Sequence, residues 1–160
     1  MTNAPEKRTI VEQALFRLAY SVGLHRGAEK IRDSTDSIAL VGFSAYLLIG
    51  FAIENGLASF LIAHNHPTPG DYKSHDLNRA LKPCASYGLV FGPEVVKFIS
   101  LLTPMQKDFV FRYPENLDQI SLPSVADACK ITKEILRDIR TVFLMKGFDV
   151  GKAVESLSPA

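Results

Sequence analysis

The residues of this chain best suited to chemistry lie in one stretch. His64, His66, Asp71 and His75 fall within twelve positions, and His64-Asn65-His66-Pro67 has the alternating imidazoles of a metal-binding loop. Ser74-His75-Asp76 follows, with a hydroxyl, an imidazole and a carboxylate in succession. Glu54 is the single charge in the apolar run 38–63, so it needs a partner: an unpaired buried carboxylate is costly or protonated. Arg112 is the first candidate partner and Arg79 the second, making Glu54–Arg112 the expected buried polar link. Arg112-Tyr113-Pro114 adds a cation and a phenol at a chain turn. Metal binding by His64, His66 and His75 is one chemistry these residue types allow. A plainer reading has the imidazoles capping a helix end and Asp76 complementing a helix start.

The elements that must position these groups read as helices. Thr2, Asn3 and Pro5 suggest the start of a first helix, whose apolar residues Val11, Ala14, Leu15, Leu18 and Val22 recur at helical spacing. Gly23 and Gly27 weaken its middle, and 33–37 stop it. The run 38–63 is the second helix, with a seam of small residues at Gly42, Ala45, Ala52, Gly56 and Ser59 that suits a close neighbour within the chain or across a dimer. Residues 64–71 form a Pro/Gly loop, and Ser74 is the expected cap of a third helix through Cys84. Gly92-Pro93-Glu94 opens a fourth, Thr103-Pro104-Met105-Gln106 a short one ending by Tyr113, and residues 114–123 form a loop. Ser124 caps a last long helix ending at Gly147. The expected architecture is all-α: four principal helices plus shorter ones, with 1–148 as one domain and 149–160 as a weakly ordered tail.

Two family resemblances attach to the chemical residues. His64-x-His66-Pro67 with Ser74 ten residues later resembles the signature of the JAMM-type zinc metallopeptidases. That family's aspartate position is Leu77 here; Asp76, one residue early, points about 100° away on a helix. The stronger resemblance is to the HEPN family (higher eukaryotes and prokaryotes nucleotide-binding domains). It rests on Phe51-Ala52-Ile53-Glu54 in a long apolar helix, on His75-Asp76-Leu77 after a Pro/Gly loop, and on Arg112-Tyr113-Pro114 before the last helix, in that order. It implies an up-down four-helix bundle, usually homodimeric. It also implies association with nucleotidyltransferases, toxin–antitoxin or defence systems, or RNA cleavage, with His75, Asp76, Arg112 and Tyr113 as ligand-binding candidates, or His75 beside Arg112 for acid–base work. The RNA-cleaving members carry Arg, four to six residues, then His. None of His25, His64, His66 and His75 has an arginine at that spacing; Arg17 is eight residues before His25.

Composition narrows the choice. The 160 residues are 47% hydrophobic and 22% charged, with a net charge of +1, which excludes a disordered chain and a general nucleic-acid-coating protein. Residues 38–72 contain no Lys or Arg, so a contact with RNA or a nucleotide would be local, around His75 and Arg112. The stripe Lys130, Lys133, Arg137 and Arg140 is interleaved with Glu134 and Asp138 and reads as a solvated face. Cys84 and Cys129 read as reduced core thiols. The apolar run is long enough to span a bilayer, but Glu54 and the lack of flanking basic clusters favour a buried core helix and no membrane. The expectation is a cytoplasmic, homodimeric, non-catalytic HEPN-like protein without a cofactor, binding a nucleotide, RNA or a protein partner. The alternatives are a ribonuclease with a displaced site at His75 and Arg112, and a metal-binding histidine loop.

Overall fold

A computed structural model of the chain describes residues 9–34, 38–108 and 121–151. These residues are all-helical, with no strand among them: α1 is Ile10–Arg32, α2 Ile38–Ala63, α3 Leu77–Ser86, α4 Pro93–Lys107 and α5 Val125–Met145. A short 3-10 turn, Pro69–Asp71, lies between α2 and α3.

α1 begins at Ile10, later than Thr2–Pro5 suggested, because Thr9 and Glu12 form a capping box. The Thr9 hydroxyl accepts the Glu12 amide at 3.2 Å, and the Thr9 amide donates to the Glu12 carboxylate at 2.7 Å. Such a reciprocal pair satisfies two amides that a helix start leaves open. α1 runs unbroken past Gly23 and Gly27 to Arg32. Leu18, Val22 and Ala28 on its inner face are buried.

α2 is the central element. Ala45, Ile49, Ala52, Ile53, Leu57, Phe60 and Leu61 are all buried, and 67% of an 18-residue apolar window within Val41–Ala63, a stretch long enough to cross a membrane, is covered by the rest of the chain. The small-residue seam packs within the chain at Ala45, Ala52, Gly56 and Ser59, whereas nothing lies within 4 Å of a Cβ placed at Gly42. Ser21 of α1 donates its hydroxyl to the Ala52 carbonyl. A Cβ at Gly56 would sit 2.7 Å from Leu136 Cδ2 and 3.4 Å from Ser21 Oγ, so this glycine lets α1 and α5 close on the same turn of α2. His25 ties α1 to α5 through Nε2 and the Cys129 carbonyl at 2.9 Å.

Two expected boundaries are corrected. Asp76, in extended conformation, is the residue before α3, and Ser74 does not cap it. Thr103-Pro104 opens no new helix. α4 continues through it to Lys107, because the Thr103 hydroxyl bonds back to the Ile99 carbonyl at 2.8 Å instead of capping forward. Beyond Gly147 the chain still feeds the core, with Val150 buried and the Phe148 ring edge-on to Phe143 at 5.4 Å. The Gly147 amide bonds to Leu144 and the Phe148 amide to Phe143, a Schellman end that folds the chain back. The expected end of the short helix, the 114–123 loop as far as residue 120, and the tail beyond 151 lie outside the described residues.

Candidate functional site

The end of α2 sets the geometry of the loop that carries the histidines. Asn65 has φ +50°, the left-handed conformation asparagine tolerates better than most residues. Its amide bonds to the Ile62 carbonyl at 2.9 Å, and the His66 amide reaches back to Leu61 at 3.0 Å. This Schellman closure sends His64 and His66 to separate partners. The His64 ring stacks on Tyr87 (4.9 Å) and Phe60 (4.2 Å). His64 Nδ1 donates to the Phe60 carbonyl at 2.8 Å, leaving Nε2 as the buried basic nitrogen, without a hydrogen-bond partner among the described residues. Burial holds the pKa of His64 below the ordinary 6.5. His66 Nε2 meets Asp71 Oδ2 at 2.9 Å, and its Nδ1 lies 3.3 Å from the Tyr87 hydroxyl. The hydrogen bond from His66, then Arg79, holds the Asp71 carboxyl below its usual range.

The alternative metal set, His64, His66 and His75, is therefore not assembled among the described residues. His64, His66 and His75 each serve a different partner, and among the described residues no three His, Cys, Asp or Glu side chains are grouped to hold an ion.

The buried carboxylate found other company than the sequence suggested. Glu54 Oε2 accepts from His75 Nδ1 at 2.9 Å and from Gln106 Nε2 at 3.1 Å. Arg79, the second candidate for Glu54, instead bonds to Asp71 Oδ1 at 3.3 Å. Arg112 and Tyr113 lie outside the described residues, and with them the expected Glu54–Arg112 link. Three segments thus meet at one oxygen: the middle of α2, the second residue before α3, and the last turn of α4. Gly50 makes room for this. A Cβ there would sit 2.2 Å from Gln106 Oε1, so the amide lies where a side chain on α2 would otherwise be. Gln106 was missed in the sequence because a new helix was read at Thr103. Once α4 runs on, Gln106 falls at i+7 from Ile99 on the buried face and is only 3% exposed. A polar residue at an apolar-face position was the available signal.

His75 itself has φ +57°. A β-carbon in this region costs of order 1–2 kcal/mol, so the His75–Glu54 bond holds a conformation the backbone alone would not choose. The side chain is 35% exposed and Glu54 13%, so the pair sits at the edge of the core. Asp76 beside it lies 3.9 Å from Lys107. Under the loop, Glu54, Asp71, Ser74, His75 and Asp76 help to line a cavity of about 10 Å³, room for the centre of one water. The Ser74 hydroxyl is buried and has no protein partner among the described residues. This arrangement can orient an imidazole. With Nδ1 donating to Glu54, Nε2 is the basic nitrogen of the neutral ring.

The remaining candidates are structural. Cys84 and Cys129 are free and buried, and burial pushes their thiols up to about 12 and about 11. Lys130, Lys133 and Arg137 are exposed along α5, with Arg137 3.7 Å from Asp138.

No protein-family model matches this chain, and no curated protein or solved structure is significantly similar to it.

Proposed function

We propose that this chain is a HEPN-like helical protein, an up-down four-helix bundle acting as a cytoplasmic homodimer, that binds a nucleotide or RNA at the surface around His75 and does not cleave it. One observation carries the reading. Glu54 and His75, the polar residues of two of the three segments behind the family resemblance, share a 2.9 Å hydrogen bond although 21 positions separate them. Asp76 next to His75 carries a carboxylate suited to the N–H groups of a base, and Lys107, 3.9 Å from it, a cation suited to a phosphate. Arg112 and Tyr113 complete the proposed ligand set from the sequence. A nucleotidyltransferase or a toxin or antitoxin is the protein partner that the same resemblance suggests.

The test is fluorescence anisotropy with a labelled single-stranded RNA and with ATP, on the wild type and His75→Ala. Binding that saturates in the wild type and weakens at least about tenfold in the variant, with the RNA left intact, is the expected result. No binding, or binding indifferent to the substitution, overturns it. A second reading, a ribonuclease built on His75 and Arg112, draws on the same bond, because a carboxylate-oriented imidazole is a competent general base. RNA cleaved by the wild type and spared by both His75→Ala and Arg112→Ala would favour it over the first.

A further inference from the structure

A separate groove runs between the first turns of α1 and the loop that follows α2. It has a volume of about 270 Å³ and is lined by Arg17, Lys73, His66, Tyr72 and Ile62, with amide side chains from Gln13 and Asn65. Among the described residues, none that lines it is a carboxylate. Its size is near the lower end of small-molecule sites, which run from about 300 to 1,000 Å³. The charge balance comes from the fold. Residues 38–72 supply no cation, so Arg17 must come from α1 and Lys73 from the far side of the loop. Asp71, behind His66, accepts from His66 at 2.9 Å and from Arg79 at 3.3 Å.

The α2 C-terminus also opens here, and its dipole amounts to about half a negative charge. Part of it is answered locally, since the amides of His64, Asn65 and His66 bond back to the Leu61 and Ile62 carbonyls. Two full cations outweigh the remainder. Arg17 Nη1 donates to Asn55 Oδ1 at 3.2 Å, a neutral partner that leaves the guanidinium charge uncompensated by that bond. Tyr72 and His66 meet edge-on with ring centroids 6.5 Å apart, so the groove's lining has an aromatic part besides the aliphatic Ile62.

We propose that this groove binds a small phosphate monoester with a planar or apolar body, Arg17 and Lys73 taking the phosphate and Tyr72 with Ile62 flanking the body. Guanidinium and ammonium groups on a dianionic phosphate form charge-assisted hydrogen bonds, the strong class of such contacts. The proposal goes beyond the His75 reading and does not depend on it: an RNA titration indifferent to His75 leaves the groove untouched.

Calorimetric titration of the full chain at low salt tests it, with adenosine 5′-monophosphate, inorganic phosphate and adenosine as probes. Expected is saturable binding of the monophosphate, weaker binding of phosphate, and none of adenosine in the same range. Arg17→Ala and Lys73→Glu are each expected to weaken the monophosphate at least about tenfold. Lys133→Glu, the same charge change on exposed α5, is expected to stay within about twofold. Lys73 is exposed, so its variant keeps the test valid if Arg17→Ala fails to fold. Absence of monophosphate binding, equal affinity for adenosine, or affinity unmoved by Lys73→Glu overturns the site. An equal loss in Lys133→Glu reduces the effect to net charge and also overturns it. Phosphate binding as tight as the monophosphate overturns the role of Tyr72 and Ile62.

Discussion

Replacing His75 by alanine and by glycine separates two energies that its position combines. Both variants remove the imidazole and with it the 2.9 Å bond to Glu54, which keeps only Gln106 at 3.1 Å among the contacts described above. A hydrogen bond to a charged partner is worth about 1.5–3 kcal/mol, so His75→Ala is expected to lose about 2 kcal/mol of unfolding free energy. Alanine also keeps the strain of φ +57°. Glycine relieves it, a gain of about 1–2 kcal/mol, while its freer unfolded chain returns about 0.5–1 kcal/mol. His75→Gly should therefore be more stable than His75→Ala by about 0.5–1 kcal/mol, with the bond to Glu54 absent from both. Urea titrations of the two variants and the wild type, at unchanged slope, give the difference directly. In a chain of this length about 1 kcal/mol is also about 2–4 °C in Tm. If His75→Gly is no more stable than His75→Ala, the backbone at 75 is not strained. If neither variant is destabilised by as much as about 0.5 kcal/mol, the Glu54–His75–Gln106 junction contributes nothing measurable.

Other substitutions and conditions have equally definite outcomes. Gly56→Val places a branched side chain where a Cβ already lies 2.7 Å from Leu136, and is expected to cost about 1–3 kcal/mol in the same urea assay. His64 has its pKa held below 6.5 by burial, so the unfolded chain binds its proton first. This group's penalty is absent above pH 6.5 and grows as the pH falls toward the depressed folded value, and His64→Phe should flatten that part of the stability profile. Asp71 has the opposite dependence. Its folded pKa lies below the usual carboxylate value, so its contribution is present above that value and is lost as the pH falls through the folded one; Asp71→Asn should remove that acid-side loss. Cys84 and Cys129, buried and with thiols raised to about 12 and 11, should react with Ellman's reagent only after unfolding, and fast reaction in the native state would contradict their burial.

Much of the helical skeleton was legible along the chain, because helix formation is local. The apolar run 38–63 became α2 with the boundaries read for it, and Ser124 caps α5 by accepting the Asp127 amide at 3.0 Å. The errors are also local in cause. Thr9-x-x-Glu12 was a readable capping box passed over in favour of Pro5. Thr103-Pro104 carries the residue types of a helix start, but a hydroxyl can bond backward as well as forward, and packing against α2 keeps α4 going.

By itself, then, the sequence determined that the chain is helical, that Glu54 is the one charge its central helix must accommodate, and that His75 and Asp76 stand at a helix start. Period, capping and burial cost act over a few residues and can be read there. Who meets Glu54 was decided only in three dimensions. His75 and Gln106 lie 21 and 52 positions away, and they converge because Gly50 leaves room and His75 turns through a left-handed backbone. The groove of Arg17 and Lys73 is the same kind of fact. Its two cations belong to separate segments, and only the packing of α1 against α2 and its following loop brings them to one groove. Such contacts depend on where whole helices come to rest, a property of the packed core that no local window contains.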